Sequence, residues 1–227
     1  MIDKRALYAI SAGVYLFTMK DGERGIGRVV DAVSQVATEP KRISVSLMKD
    51  GHTSSVVAAA GVGARFSLTV LAADAPMALV ATFGSQSSAT VDKFAGYAVS
   101  HDEAGVPFVA EGAVSRMSAV VFDVLDMGSH LLVLADVVEA EVYTDAEAMT
   151  YAGYRKAKSA AKAAPAAAPA SAPAAEAPAP AEAPAAKPRV GWRCMICGHV
   201  VECEELPADF TCPICGVGRE LFERVEL

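Results

Sequence analysis

The sequence predicts a mainly β protein: a closed or partly closed antiparallel barrel with a few short helices, followed by a small metal-stapled domain. Three observations lead there. Five alternating or β-branched runs lie between residues 27 and 143, against few helix-like segments. A 29-residue stretch, Ala160–Pro188, contains 17 Ala and 7 Pro. All five cysteines fall in the 39 residues that follow it.

The elements are expected in this order. Gly22, Gly25 and Gly27 mark a turn ahead of the first run, as in a hairpin. Strands are predicted over Gly27–Val36, Arg42–Met48, Arg65–Leu71, Val114–Val124 and Leu131–Tyr143 from their alternation and β-branched content. Short helices are predicted over Ser54–Ala60, capped by Thr53, and over Pro76–Phe83, with proline in its first turn. A longer helix is expected from Asp145 to about Lys158, opened by Thr144 or Asp145. No internal repeat is visible.

The hydrophobic fraction of 53% is inflated by the alanines of the Ala/Pro stretch. No run of about 18 strongly apolar, uncharged residues occurs, so no membrane-spanning helix is expected. The first ten residues are charged early and lack an apolar core with a small-residue cleavage site, so a secretory leader is not expected and a cytoplasmic setting is. The net charge of −7 is divided between the parts. Residues 1–159 carry 14 Lys and Arg against 18 Asp and Glu, and residues 189–227 carry 4 against 7. No basic footprint exists for a nucleic-acid backbone, which excludes nucleic acid as the main partner.

Within residues 160–188 the prolines interrupt any helix that alanine would favour and bias the chain toward extended polyproline II. At ~3.1 Å per residue this tether spans at most ~90 Å. It separates an ordinary-sized domain, residues 1–159, from residues 189–227, which are too few for a self-sufficient core.

The small domain solves that problem with cysteine. Cys194-Met195-Ile196-Cys197-Gly198 and Cys212-Pro213-Ile214-Cys215-Gly216 are two C-x-x-C-G turns separated by 14 residues. Each turn aims two sulfurs at one ion, and two facing turns make a tetrahedral four-thiolate site suited to iron or zinc. Cys203 stands outside both turns, beside Glu202, Glu204 and Glu205, which disfavour its thiolate, and is read as a non-ligand. Zinc ribbons share the spacing. The flanks, Trp192, Pro213 and Phe222 with Leu206-Pro207-Ala208-Asp209-Phe210-Thr211-Cys212, resemble rubredoxin, and the short loop between the turns resembles rubredoxin-like domains attached to other redox proteins. That resemblance implies a one-electron iron centre at Cys194, Cys197, Cys212 and Cys215.

In the large domain no P-loop, dinucleotide-binding GxGxxG or nucleophile elbow occurs. Polar residues cluster at strand ends instead: Lys49 and Thr53, Gly84 to Thr90 with Lys93, and His130. Lysine, threonine and a helix N-terminus together are the parts of a phosphate cradle. Ile43–Lys49 with Thr53, Arg65–Leu71, Phe83-Gly84-Ser85-Gln86-Ser87-Ser88, Asp92-Lys93-Phe94, Gly105-Val106-Pro107 and Met127-Gly128-Ser129-His130, in that order, resemble the flavin reductase-like family over about residues 3–158. The resemblance implies an FMN-binding split β-barrel, with Lys49 and Thr53 on the FMN phosphate and Lys93 and His130 near the cofactor. It also implies contacts from Asp31, Gln35, Ser46, Gly84, Ser85, Ser88 and Tyr154. Asp31 departs from the asparagine of many relatives, and a carboxylate there would repel a reduced, anionic flavin.

The resemblance of the two halves implies an oxidoreductase in which NAD(P)H reduces FMN and the electrons leave through the iron centre. The implied acceptor is a flavodiiron protein that reduces oxygen or nitric oxide, and the implied assembly is a homodimer. No side-chain nucleophile is required, and no catalytic residue is assigned. Two other functions share these residues: a flavin reductase that releases reduced FMN to a separate oxygenase, with a structural zinc tail, and a non-enzymatic electron-carrier module.

Overall fold

The computed structural model describes residues 3–163, 190–194, 200–203, 205–207, 210, 219 and 222–226. The chain divides into two units, Met1–Ala168 and Pro169–Leu227. After a 3-10 turn over Lys4–Ala9, the first unit carries β1 (Tyr15–Asp21), β2 (Arg24–Val30), β3 (Val33–Thr38), β4 (Lys41–Met48), α1 (His52–Ala60), β5 (Arg65–Leu71) and α2 (Met77–Ser85). It continues with β6 (Val99–His101), β7 (Pro107–Val109), β8 (Ala113–Asp126), β9 (His130–Val142) and α3 (Tyr151–Ala163).

Seven of these strands form one antiparallel sheet in the order β2-β1-β5-β8-β9-β4-β3. The order itself dictates a barrel. Strands β2 and β3 occupy opposite edges, which a flat sheet would hold about 29 Å apart at ~4.8 Å per spacing. Only Asp31 and Ala32 join them, and that link reaches at most ~11 Å. The sheet must therefore curl until its edges approach, and a backbone bond from Ser46 N to Ala32 O (2.9 Å) carries the β3–β4 ladder into the connecting link. The expected single run over Gly27–Val36 is thus two strands, broken where the chain crosses from one edge to the other.

The barrel interior is filled by Phe17, Met19, Ile26, Ile43, Val45, Leu47, Phe66, Leu68, Val121 and Val133, with Val57 of α1 packed against them. Phe17 and Phe66 stack at its centre with ring centroids 4.6 Å apart. A second cluster unites Leu16 and Leu71 with Leu79, Val80 and Phe83 of α2, and with Phe94, Val109 and Met149. Strands β1 and β5 contribute to both clusters, so they are buried on both faces. Strand β1 therefore lacks the alternation of a half-buried strand: Leu16, Phe17, Thr18 and Met19 are all buried. Strand β4, buried only at every second residue, was legible from alternation.

Other expectations shift. Gly22 does turn the chain, with φ 60°, but Gly25 and Gly27 are inside β2. Gly27 is required there because a Cβ would lie 2.8 Å from Phe17 O and 3.2 Å from the Phe83 ring. Helix α1 begins at His52 with Gly51 as its N-cap, so Thr53 lies in the first turn rather than before it. Helix α3 begins at Tyr151, six residues later than Asp145, because the preceding segment is extended. Its backbone joins the sheet instead, through Ala73 N to Glu147 O, Met149 N to Leu71 O and Val14 N to Met149 O at 2.8–3.0 Å. Thr150 then caps α3, its Oγ1 accepting from Gly153 N at 3.0 Å. The helix runs to Ala163, into the stretch expected to be extended from residue 160, while residues 164–188 of the tether lie outside the described residues.

In the second unit, β10 (Val190–Cys194), β11 (Val200–Glu202) and β12 (Phe222–Glu226) form a sheet in the order β11-β10-β12. Its apolar centre is Leu206 and Phe222, flanked by Trp192, Val201, Cys203 and Phe210. Arg193 pairs with Glu223 across β10 and β12. Among the described residues of this unit the buried apolar side chains are Leu206 and Phe222. No helix among the described residues is long and apolar enough to cross a membrane.

Candidate functional site

Two sets of polar residues flank β2. The first gathers where β4 turns into α1. Ser46 stands opposite Leu132 and Met48 opposite His130 in the β4–β9 register. Lys49, on the same turn, donates from its backbone N to Ser129 O (3.1 Å). Ser129 Oγ lies 2.8 Å from His130 Nδ1. Ser46, Lys49 and His130 therefore lie along one barrel rim, Thr53 is buried in the first turn of α1 that follows, and the β2–β3 link that carries Asp31 is bonded to Ser46.

The Lys49 charge on this rim is paired within the protein. The Lys49 ammonium contacts both carboxylate oxygens of Asp126, at 2.8 and 2.9 Å. Lys49 and the Gly128 N–H hold the Asp126 carboxyl below the usual carboxylate range. Beneath the turn stands a cation that pattern reading missed. Arg28 Nη1 donates to Met48 O (3.0 Å) and to Ser54 Oγ (2.9 Å). Ser54 Oγ also donates to Met48 O. Gly51 makes this possible, since a Cβ there would sit 2.7 Å from Arg28 Nη1. The signal was present in β2: an arginine between the inward residues Ile26 and Val30 is costly unless something is built around it.

The second set belongs to the segment after α2. Ser88, 3% exposed, donates from Oγ to Gly27 O (3.0 Å) and accepts from Gly27 N (3.2 Å). Lys93, also 3% exposed, donates from Nζ to Gly27 O and Phe83 O, both at 2.9 Å. Burial first, and the Arg28 charge second, push the Lys93 ammonium down to about 8. Arg24 donates to Val91 O (3.0 Å) and to Ser88 O. These three side chains clasp residues 84–93 onto β2. Gly84 and Ser85 are exposed, and a Cβ on Gly84 would come within 3.6 Å of Val29. Lys93 and Ser88 are thus placed as the supports of this loop, their polar atoms engaged with backbone.

Tyr154 packs against the cluster that contains Phe83, with Val29 at its margin. Gln35 lies on the exposed side of β3, its amide donating to Ala37 O at 3.2 Å, and the structure does not bring it to either polar set. A cleft of about 430 Å³ opens elsewhere, beside β1 and β2, lined by residues including Lys20, Arg24, Phe94, His101 and Pro107. It contains none of the residues singled out for the cofactor.

Among the described residues no group of three or more His, Cys, Asp or Glu is placed to hold a metal. Cys194 ends strand β10, while Cys197, Cys212 and Cys215 lie outside the described residues. Cys203 is a free thiol packed beside Leu206 and Phe222.

A seven-stranded barrel seamed at β2–β3, with an α1 turn and a clasped loop on either side of β2, defines the class: residues 7–161 match the flavin reductase like domain, and the chain belongs to that family. Residues 192–223 match the rubrerythrin, rubredoxin-like domain. The chain is 32% identical to the high molecular weight rubredoxin of Moorella thermoacetica, over 99% of this chain and 100% of that one. It is 35% identical to the ferric-chelate reductase (NAD(P)H) of Archaeoglobus fulgidus, over 69% of this chain and 91% of that one. Among solved structures, the NADH:FAD oxidoreductase of Streptomyces globisporus shares the fold with a TM-score of 0.60 at 21% identity, covering 68% of this chain and 93% of the other.

Proposed function

We propose that the chain is an NAD(P)H-dependent FMN oxidoreductase whose electrons leave through a rubredoxin-type iron centre to an acceptor protein of the flavodiiron kind. One observation carries this reading: a flavin reductase-like domain and a tetracysteine rubredoxin-like domain share one polypeptide. The end-to-end similarity to a high molecular weight rubredoxin supports it, and the NAD(P)H named for the Archaeoglobus relative supports the donor. A homodimer and a cytoplasmic setting belong to the same proposal.

The residues fit a phosphate-bearing flavin. The N-terminus of α1 has no side-chain cap bond, so its first N–H groups are free for an anion. Thr53 is in that first turn, and the Arg28 guanidinium lies against Gly51 at the same helix end. Lys49 and Thr53 would hold the phosphate, with Ser46, Asp31 and His130 along the rim. The Gly84–Ser88 segment would border the cofactor on the other side of β2, positioned by Ser88, Lys93 and Arg24. In the second unit, Cys194, Cys197, Cys212 and Cys215 would supply a four-thiolate donor set suited to iron. Bound FMN would exchange a hydride for single electrons, and the iron tetrathiolate would carry one electron. Hydride transfer needs no side-chain acid or nucleophile, so the protein's work is holding and orienting.

The test is the visible spectrum of anaerobically purified protein before and after NADH or NADPH. Flavin bands that bleach with either nucleotide, followed by loss of ferric tetrathiolate bands, are expected. Flavin that stays oxidised with both would reject the oxidoreductase, and a flavin spectrum without iron bands would reject the iron route.

A further inference from the structure

Arg28 is a half-buried cation in an unfavourable place. Its guanidinium touches the first turn of α1 through Ser54 Oγ at 2.9 Å, and a helix N-terminus is itself the positive end of the helix dipole. Two positive potentials are therefore set side by side. No carboxylate among the described residues lies within ion-pair distance of Arg28. Asp31 and Asp50 act on it only at longer range, and burial still lowers its pKa. Asp21, the other acid near this turn, is engaged by His52 Nε2 at 2.9 Å. Lys49, the cation expected to serve this turn, is held by Asp126. The arrangement is balanced once an anion lies against the turn.

We propose that Arg28 is the positioning cation of the flavin phosphate site: it fixes the Met48–Ser54 turn and supplies the positive potential that the phosphate meets at the N-terminus of α1. This rests on the flavin reading above and gives that site a residue it lacked. The guanidinium is suited to the task because Nη1 spends its two hydrogens on Met48 O and Ser54 Oγ, which fixes the charge in place. The Cβ-free Gly51 admits it. Lysine would keep the charge but lose this fork.

The experiment compares FMN with riboflavin, which lacks the phosphate, as ligands of the deflavinated full-length protein, followed by flavin fluorescence. The wild type should prefer FMN, and Arg28→Met should cut that preference by roughly 10- to 100-fold while riboflavin affinity stays the same. Arg28→Lys should return part of the preference. An FMN preference that survives Arg28→Met, or a loss that falls equally on FMN and riboflavin, would overturn the role. Should Arg28→Met not fold, Arg28→Lys decides alone with inorganic phosphate as competitor: phosphate should displace FMN from it less effectively than from the wild type, and equal displacement would overturn the role. Bleaching of bound flavin by NADH is read separately. Its failure with the FMN preference intact removes the oxidoreductase and leaves Arg28 its phosphate.

Discussion

Lys93 Nζ lies 2.9 Å from Gly27 O, in surroundings that leave the lysine 3% exposed. The same ammonium reaches Phe83 O at 2.9 Å, so one side chain joins β2, the end of α2 and the loop between them. Replacing it with methionine leaves two carbonyls without their donor. We predict that Lys93→Met lowers stability by about 1–3 kcal/mol at neutral pH, measured by urea unfolding. A change within experimental error would show that the clasp contributes nothing.

The same lysine makes stability depend on pH. Its pKa falls from the ordinary 10.5 to about 8 in the folded protein. Between those values the unfolded chain holds a proton that the folded chain has released, so stability rises with pH across that window. The rise amounts to at most about 3 kcal/mol and is absent in Lys93→Met. Burial raises the phenols of Tyr15 and Tyr143, which oppose the trend above pH ~10, so the useful comparison lies between pH 8 and 10. Parallel pH profiles for wild type and variant would reject the assignment.

Lys49 and Asp126 make a third prediction. The ammonium is held by both carboxylate oxygens, at 2.8 and 2.9 Å, on an exposed rim. If Lys49 serves the phosphate, Asp126 competes with it. Asp126→Asn should then tighten FMN binding by roughly two- to fivefold and leave riboflavin binding alone. Unchanged FMN affinity would assign Lys49 to the β4–β9 rim as a structural residue.

How far the sequence exposed all this follows from where each residue's partners lie. Strand β4 and the two C-x-x-C-G turns were legible because their signals are local: alternation in one case, spacing in the other. Strand β1 was hidden because both its faces are covered, and that covering comes from α2 and Met149, far along the chain. The 145–150 segment looked like a helix start, with Thr144 and Asp145 as caps, but its backbone is claimed by partners at Val14 and Leu71. Candidate residues were found as types at strand ends. Their division into rim residues and loop supports was not, because Lys93 and Arg28 take their meaning from carbonyls 66 and 20 positions away.

Asp31 carries the fourth prediction. It is exposed on the two-residue link that crosses from β2 to β3, beside the rim that would hold the flavin. A negative charge there raises the energy of a reduced, anionic flavin more than that of the neutral oxidised form. Asp31→Asn should therefore raise the flavin midpoint potential by on the order of 20–40 mV, given that 30 mV is 1.4 kcal/mol for a two-electron couple. A dye-equilibrated redox titration measures it. A fall in potential, or none, would place Asp31 away from the flavin ring.

Cys212 tests the division of labour between the units. Its thiolate is one of four in the proposed iron site, and 39 residues are too few for a self-sufficient core. Loss of the metal should cost this unit most of its folding free energy, since metal binding and folding are linked in such small domains. The first unit has its own barrel core. In Cys212→Ser we expect the ferric tetrathiolate bands to vanish and the second unit to become sensitive to protease. Bleaching of the flavin by NADH should continue at the wild-type rate. If flavin reduction is lost together with the iron bands, the two units do not act separately. If the bands were never present and zinc is released instead, the tail is structural and electrons leave from the flavin itself.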